Sequence, residues 1–507
     1  MRRGVDARAA ASSVPLTELE LEQARRVCHE CGVAAAFRVL AAGAAASVLL
    51  VTAAAAGPPG RWSTLAEGPG VPGGGANEVA LARTGDGTLH VAWREDTGPL
   101  TAVIRTRPIS RAGRPGATAT AVAGFGLAAD PALVASAGGV RLFFAAGTPT
   151  EGLLSATAPG SAGPWSGPAL VINAELSRAR TPAVTLDAGG TPWQTWYSGG
   201  GIAVHRGTSP GAVHVLGGTG TNARPNIAAD ATGRIWVAWC RFGGPEPTGT
   251  IAQQVDPATG APVGAQIQLP GSATTYQGQA YSTCVLDATV ARHTPLVARA
   301  GGGVYAAGTR GYPTQRAVTV WRLDAGVTRR TDVGAGRLGV ANPALAAAPD
   351  GRIWVAWLDR APGGTRIMAR RSNRAGTAFG AVVIARPPGG ISSGSLNLSA
   401  QADRADLIVL AQAPSGARRI QHTQLLPGLT LVRASVQRQG TRGSLVTFRA
   451  NDAGEPLAGV RVRAEGRTAV TAANGVARLR LRPGSRRVTA AGTRAGYVGA
   501  RLVFACC

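Results

Sequence analysis

The chain contains no lysine. All 52 of its basic residues are arginine, set against only 27 acidic ones, for a formal net charge of +25. A charge of that size suggests phosphate binding, because a basic surface gains affinity by releasing condensed counterions. The arginines are spread along the chain without a compact basic run, however. The lack of lysine beside abundant Ala, Gly, Pro and Val reads instead as the imprint of a GC-rich coding sequence, and no nucleic-acid partner is predicted. Methionine is also scarce, at 2 residues, and long polar helical stretches are missing, whereas glycine and proline number 71 and 33. That balance argues for many short strands joined by tight turns, an all-β composition. With 45% apolar residues over 507 positions there is ample material for two or three cores.

Long apolar runs are nearly absent. The exception is Val39 to Ala56, 18 residues without a charge, half of them alanine. It follows Arg38 and ends in Ala53-Ala54-Ala55-Ala56 before Gly57-Pro58-Pro59, the order of a secretory signal: cation, apolar segment, small-residue cleavage site, turn-forming mature start. A permanent membrane helix needs about 20 strongly apolar residues, and alanine inserts weakly. Residues 1–56 are therefore read as an N-terminal extension and cleaved signal, with the mature chain beginning near Gly57 and an extracytoplasmic destination. An uncleaved signal anchor is the alternative and the one membrane contact the sequence offers. The long region ahead of the apolar run points to true translation starting near Val33.

Cysteine is limited to 6 residues. Cys28-His29-Glu30-Cys31 has C-x-x-C spacing, but a structural zinc site needs four ligands and no second pair lies nearby, so no metal is predicted. Cys240, Cys284, Cys506 and Cys507 remain for disulfides in an oxidising compartment.

What the sequence does have is a repeat. Val79 to Trp93 (VALARTGDGTLHVAW), Pro182 to Trp196 (PAVTLDAGGTPWQTW), Pro225 to Trp239 (PNIAADATGRIWVAW) and Pro343 to Trp357 (PALAAAPDGRIWVAW) align without a gap. Pro131 to Phe144 is a copy one residue shorter, and Pro295 to Tyr305 and Leu396 to Ala411 are weaker copies. The four gapless copies each have an apolar strand, a Gly-containing reversal and a second strand ending in Trp, that is, a β-hairpin. In Arg352 to Trp357, Ile353, Val355 and Trp357 fall on one face and Trp354 and Ala356 on the other. Both faces are apolar, as required of a sheet sandwiched between two neighbours. Units spaced by about fifty residues leave room for four short strands each, which suits a closed ring of about seven blades, six or eight being the alternatives. Cys240 and Cys284, on consecutive units, are candidates for a disulfide.

With these repeats, residues 61–427 resemble the bacterial sialidase-like and related repeat β-propellers. The resemblance implies an all-β, about seven-bladed propeller over 57–427 and a glycan-related role. Asp230 to Trp236 is similar to the Asp-box of sialidases, S-x-D-x-G-x-T-W, with the Gly displaced and the Ser and Thr missing. After Pro427-Gly428 the pattern changes to clean alternation, Val460-Arg461-Val462-Arg463 and Ala477-Arg478-Leu479-Arg480-Leu481-Arg482, with Asn474-Gly475 predicted as a hairpin turn. Residues 428–507 resemble a bacterial Ig-like or carboxypeptidase-regulatory-like β-sandwich, which implies a spacer or adhesive unit.

Catalytic chemistry is hard to find. No G-x-S-x-G, Walker-type loop or H-E-x-x-H occurs. A glycan-cleaving propeller needs a funnel carboxylate pair, and Asp86, Asp230 and Asp350 sit in turns where they serve backbone amides. No catalytic residue and no cofactor is assigned. Binding candidates are Tyr276, Tyr281 and Tyr312 in irregular loops, and Arg461, Arg463, Arg478, Arg480 and Arg482 as one basic face. The expected function is a non-catalytic exported binding or scaffold protein whose partner is an extracellular glycan, an acidic envelope polymer or a protein. A glycan-cleaving enzyme with a divergent funnel site is the alternative.

Overall fold

A computed structural model describes residues 60–505 apart from 69–77, 99–100, 137, 176–178, 219, 244–246, 277–278, 285–292, 312–313, 325–326, 337–338 and 485–486. The Cys28 and Cys31 pair, the Val39 to Ala56 segment, the Gly57 start, Tyr312, Cys506 and Cys507 lie outside the described residues.

Turn chemistry sets the local unit. In the hairpin joining Thr221–Ala229 to Ile235–Phe242, Asp230 Oδ1 accepts from the amides of Thr232 (2.9 Å) and Arg234 (3.0 Å). Gly233 meanwhile takes φ +84°, where a Cβ would be strained. The same turn is built around Asp86 and Gly87, and around Asp187 and Gly190. Seven four-stranded antiparallel sheets made from such hairpins follow one another among the described residues. Their first strands are Val79–Arg83, Ala128–Ser136, Arg180–Leu186, Thr221–Ala229, Leu296–Ala298, Val340–Ala347 and Ser393–Ala400. In six sheets the strands pair in chain order; the seventh is completed by Trp62–Glu67, which pairs with Arg418–Leu425.

The two apolar faces of each sheet pack separately, as the alternation predicts. Ile353, Val355 and Trp357 belong to a core shared with the preceding sheet, through Tyr305, Val318 and Val320. Trp354 and Ala356 belong to a core shared with the following one, through Leu396, Leu407 and Val409. Such a core lies between every successive pair, and the last, with Ile408, Leu410 and Ile420 against Val79, Val91 and Trp93, joins the seventh sheet to the first. The sheets thus close into a ring, the architecture of a β-propeller. Each large side chain buried in these seams stabilises by about 1.5–3 kcal/mol. Among the described residues no helix is long and apolar enough to cross a membrane.

Beyond the ring, two further sheets share one core that includes Val446, Phe448, Val462, Leu479 and Val488. One contains Thr430–Arg438, Ser444–Asp452 and Val476–Leu481; the other contains Arg467–Val470, Arg461–Ala464, Arg487–Thr493 and Ala500–Ala505. Gly475 has φ +73°, so Asn474-Gly475 is a tight turn, but it is not a hairpin. The Gly475 carbonyl accepts from the Ala450 amide (2.8 Å), and the chain passes from a strand of one sheet to a strand of the other. This unit is fastened to the ring. Arg371 pairs with Asp452, both almost fully buried, Arg352 pairs with Glu455, and Gly428 bridges Ala381 on one side and Val498 on the other.

Candidate functional site

The central cavities are lined mostly by residues of the first strands, and the position leading into each repeat is the one that joins neighbouring sheets. In chain order that position is Glu78, Asp130, Thr181, Arg224, Thr294, Asn342 and Gly394; the first six directly precede Val79, Pro131, Pro182, Pro225, Pro295 and Pro343, and Gly394 lies two residues ahead of the Leu396 copy. Four of them have left-handed backbones: Asp130 at φ 51°, Thr181 at 53°, Arg224 at 58° and Asn342 at 46°. The strand register slips at each of these four places. A following proline disfavours the right-handed helical region, and a bulge re-aims the side chain. Asn and Asp tolerate the left-handed region, whereas Thr and Arg there are outliers held by their surroundings.

The re-aimed residues lace neighbouring sheets together. Glu78 Oε2 accepts from the Asp130 amide (3.4 Å), and Asp130 Oδ2 accepts from the Thr181 amide (3.1 Å). The Arg224 carbonyl accepts from the Thr294 amide (2.9 Å), and Asn342 Nδ2 donates to the Gly394 carbonyl (2.7 Å). Glu78 and Asp130 are thus two buried carboxylates in adjacent sheets, a juxtaposition the sequence reading missed. Both are engaged by arginine: Arg94 to Glu78 at 2.9 Å and Arg180 to Asp130 at 2.9 Å. Burial opposes the charge of Arg180, but Asp130 and Glu78 together outweigh it and raise its pKa. Neither carboxylate lines the central cavities.

Two cavities lie in series along the axis. The one at the proline end has a volume of about 270 Å³ and is walled by the ring residues Pro131, Pro182, Pro295 and Pro343 over aliphatics such as Leu133 and Leu345. Its polar lining consists of Asn226, Asn342, Asn397, Ser395 and His293, with no charged side chain. A cavity of about 860 Å³ at the other end shares Leu296, Leu345 and Leu398, and adds Arg83 and Arg111 at its rim. Arg83 is bound to Asp406 at 2.6 Å. At the proline end the chemistry available is apolar contact plus neutral hydrogen bonding, and at the other end Arg111 adds a cation; neither lining contains an acid and base pair.

A Ser–His–Asp chain does occur elsewhere. Ser63 Oγ is 3.3 Å from His422 Nδ1, and His422 Nε2 is 2.8 Å from Asp406 Oδ1. In hydrolytic triads serine meets Nε2 and the carboxylate meets Nδ1; here the roles of the ring nitrogens are reversed, and none of the three lines either cavity. Asp406 also accepts from Arg83, Gln401 and Gln424. The group ties the closing strand, the seventh sheet and the first sheet together.

The other predicted residues are placed as follows. Cys240 and Cys284 form a disulfide, with Cα atoms 5.9 Å apart. Tyr276 and Tyr281 are on a two-stranded hairpin, Ala273–Tyr276 with Gln279–Ser282, not in irregular loops, and the Tyr281 hydroxyl donates to Gln279 Oε1 at 3.1 Å. Arg461, Arg463, Arg478, Arg480 and Arg482 are all exposed but do not share one face. Arg461 and Arg463 lie on one sheet, Arg478 and Arg480 on the other, and Arg482 just past the latter, because two sheets with a common core turn their wet faces away from each other. Among the described residues no His, Cys, Asp and Glu cluster fit for a metal occurs. His90, buried, bridges sheets through Ser161 (2.9 Å) and Thr84 (3.1 Å).

No family model and no curated protein matches the chain. Among solved structures, a protein of unknown function from Dyadobacter fermentans is similar at 13% identity and a TM-score of 0.41, over 72% of this chain and 99% of that one. Polysaccharide lyase Uly1 is similar at 11% identity and 0.40, over 70% and 90%. An exo-β-1,3-galactanase from Phanerochaete chrysosporium is similar at 14% identity and 0.36, over 88% and 100%. These likenesses are distant, and the fold assignment rests on the sheet order and closed seams.

Proposed function

We propose that the chain is an exported, non-catalytic binding or scaffold protein whose ring, residues 57–427, is a seven-bladed propeller presenting its proline end to a glycan. Residues 428–507 act as an Ig-like spacer held against that ring. The observation that carries the reading is the lining of the central cavities, amide-rich between aliphatic walls at the proline end and without a carboxylate in either. A binding site needs only shape and a few fixed polar groups, whereas glycan hydrolysis needs an acid and a second carboxylate flanking the scissile bond. Tyr276, Tyr281 and Tyr312 supply further contact surface, and the arginines of the C-terminal unit a secondary attraction for acidic envelope polymer.

The second reading, a divergent glycan-cleaving enzyme, is favoured by one observation, the adjacency of Glu78 and Asp130 at the sheet junction. The two readings separate in one experiment. Mature protein immobilised on beads should retain glycans from an envelope extract, yet release no reducing ends from a broad panel of glycosides and acidic polysaccharides. Product release that disappears in Glu78→Gln would replace the binding reading with the enzymatic one.

A further inference from the structure

At the proline end, Asn342 and Thr294 present polar atoms that the protein leaves without a partner. Asn342 is 4% exposed and Thr294 3%. The Asn342 amide nitrogen is spent on the Gly394 carbonyl, which leaves Oδ1 as a buried acceptor with no hydrogen bond; Thr294 Oγ1 is buried and without one as well. A buried polar atom without a hydrogen bond is destabilising unless something fills the space beside it. Both residues line a small cavity of about 40 Å³ that shares His293, Pro295, Asn342 and Pro343 with the larger one of about 270 Å³. The left-handed backbone and register slip at Asn342 aim its side chain there.

We infer that the proline-end cavity takes a neutral sugar ring, with a ligand hydroxyl donating to Asn342 Oδ1 and a second hydroxyl meeting Thr294 Oγ1. The proposal rests on the glycan-binding reading and names the class of glycan. Asn342 Oδ1 accepts and does not donate, so it repels carboxylate, sulfate and phosphate oxygens and selects O–H donors. No arginine lines the larger cavity, and Arg224, which lines the smaller one, donates its guanidinium to the Cys284 carbonyl; burying an anion without a cationic partner is costly. The proline and leucine walls suit the C–H face of a pyranose, and the volume lies near the lower end of the range of roughly 300–1,000 Å³ typical of small-molecule sites.

The test is titration calorimetry of the full chain with two probe sets. One is neutral: glucose, galactose, mannose, xylose, N-acetylglucosamine and their short oligomers. The other is acidic: glucuronate, galacturonate and sialic acid. Binding is expected in the neutral set, weakened about five- to tenfold by Thr294→Val and by Asn342→Gly. Asn342→Gly keeps the positive φ but loses a bond between sheets, and it lowers the melting temperature. Thr294→Val deletes an oxygen that bonds nothing and should leave the melting temperature unchanged or raised, so it carries the test alone if the first variant unfolds. Acidic sugars binding while neutral ones do not would overturn the inference and leave glycan binding standing. Neutral binding indifferent to Thr294→Val would place the sugar elsewhere and overturn it too. Silence of both sets would remove the glycan reading itself.

Discussion

Asp86 holds its carboxyl at about 2, through hydrogen bonds from the Thr84 hydroxyl and from the amide and hydroxyl of Thr88. Burial by itself would raise the carboxyl of Asp406, but the His422 bond, the Arg83 charge and the Gln424 bond outweigh it and leave it below the ordinary 3.8. A lowered folded value means stability that is complete above the ordinary one and lost as pH falls through the folded one. His90 is pushed below 6.5 by burial, against the pull of Asp86, and His205 is pushed below it by burial. The sign is the same: neutral imidazoles favour the folded state above 6.5, and that contribution fades as pH falls. The melting temperature should therefore decline in two stages on acidification, first below about pH 6.5 and again below about pH 4. A melting temperature that rises between pH 7 and pH 5 would contradict the assignment. At this scale the sequence was partly legible. Turn aspartates announce themselves through the Gly beside them, as at Asp86-Gly87. The residues before the repeat windows did not, because their identity varies from Glu78 through Arg224 to Asn342. What is constant there is polarity at every position but Gly394, a weaker signal than a repeated letter.

Strands and their faces were easier to read. The Arg352 to Trp357 alternation gave the correct split of Ile353 and Trp354 between two cores, since period-two geometry leaves no other choice when both faces are apolar. Asn474-Gly475 was misread because a tight turn fixes local backbone but not which sheet the next strand joins. The disulfide belongs to this scale as well. Cys240 lies near the end of the core strand Ile235–Phe242 and Cys284 follows the Gln279–Ser282 strand, 44 residues later, so the bond closes a loop that includes the hairpin. By the chain-entropy estimate that closure contributes about 4 kcal/mol. Replacing both cysteines with serine should lower the denaturant midpoint in proportion, and adding reductant to the variant should change nothing further. An unchanged midpoint would mean that the unfolded chain gains nothing from losing the link.

Across the whole molecule, the C-terminal unit is tied to the ring by ion pairs. Its Asp452 accepts from buried Arg371 and from the Tyr497 hydroxyl, and Glu455 meets Arg352 and the Arg374 amide. Removing one partner of a buried pair costs about 3–5 kcal/mol, because the other charge is stranded. Asp452→Ala should therefore free the unit to swing about Pro427-Gly428. Small-angle scattering would show a larger radius of gyration with strand content intact, and an unchanged radius would show that the apolar contacts suffice. We propose that this molecule spends its buried acids on construction and binds without turnover. The most direct measurement pairs the melting temperature of Asp130→Asn with product release from a glycan panel. A loss of roughly 1.5–3 kcal/mol of stability is expected, from a hydrogen bond to a charged group, with no product from either protein. An unchanged melting temperature, together with product formed by the parent and abolished in the variant, would contradict it.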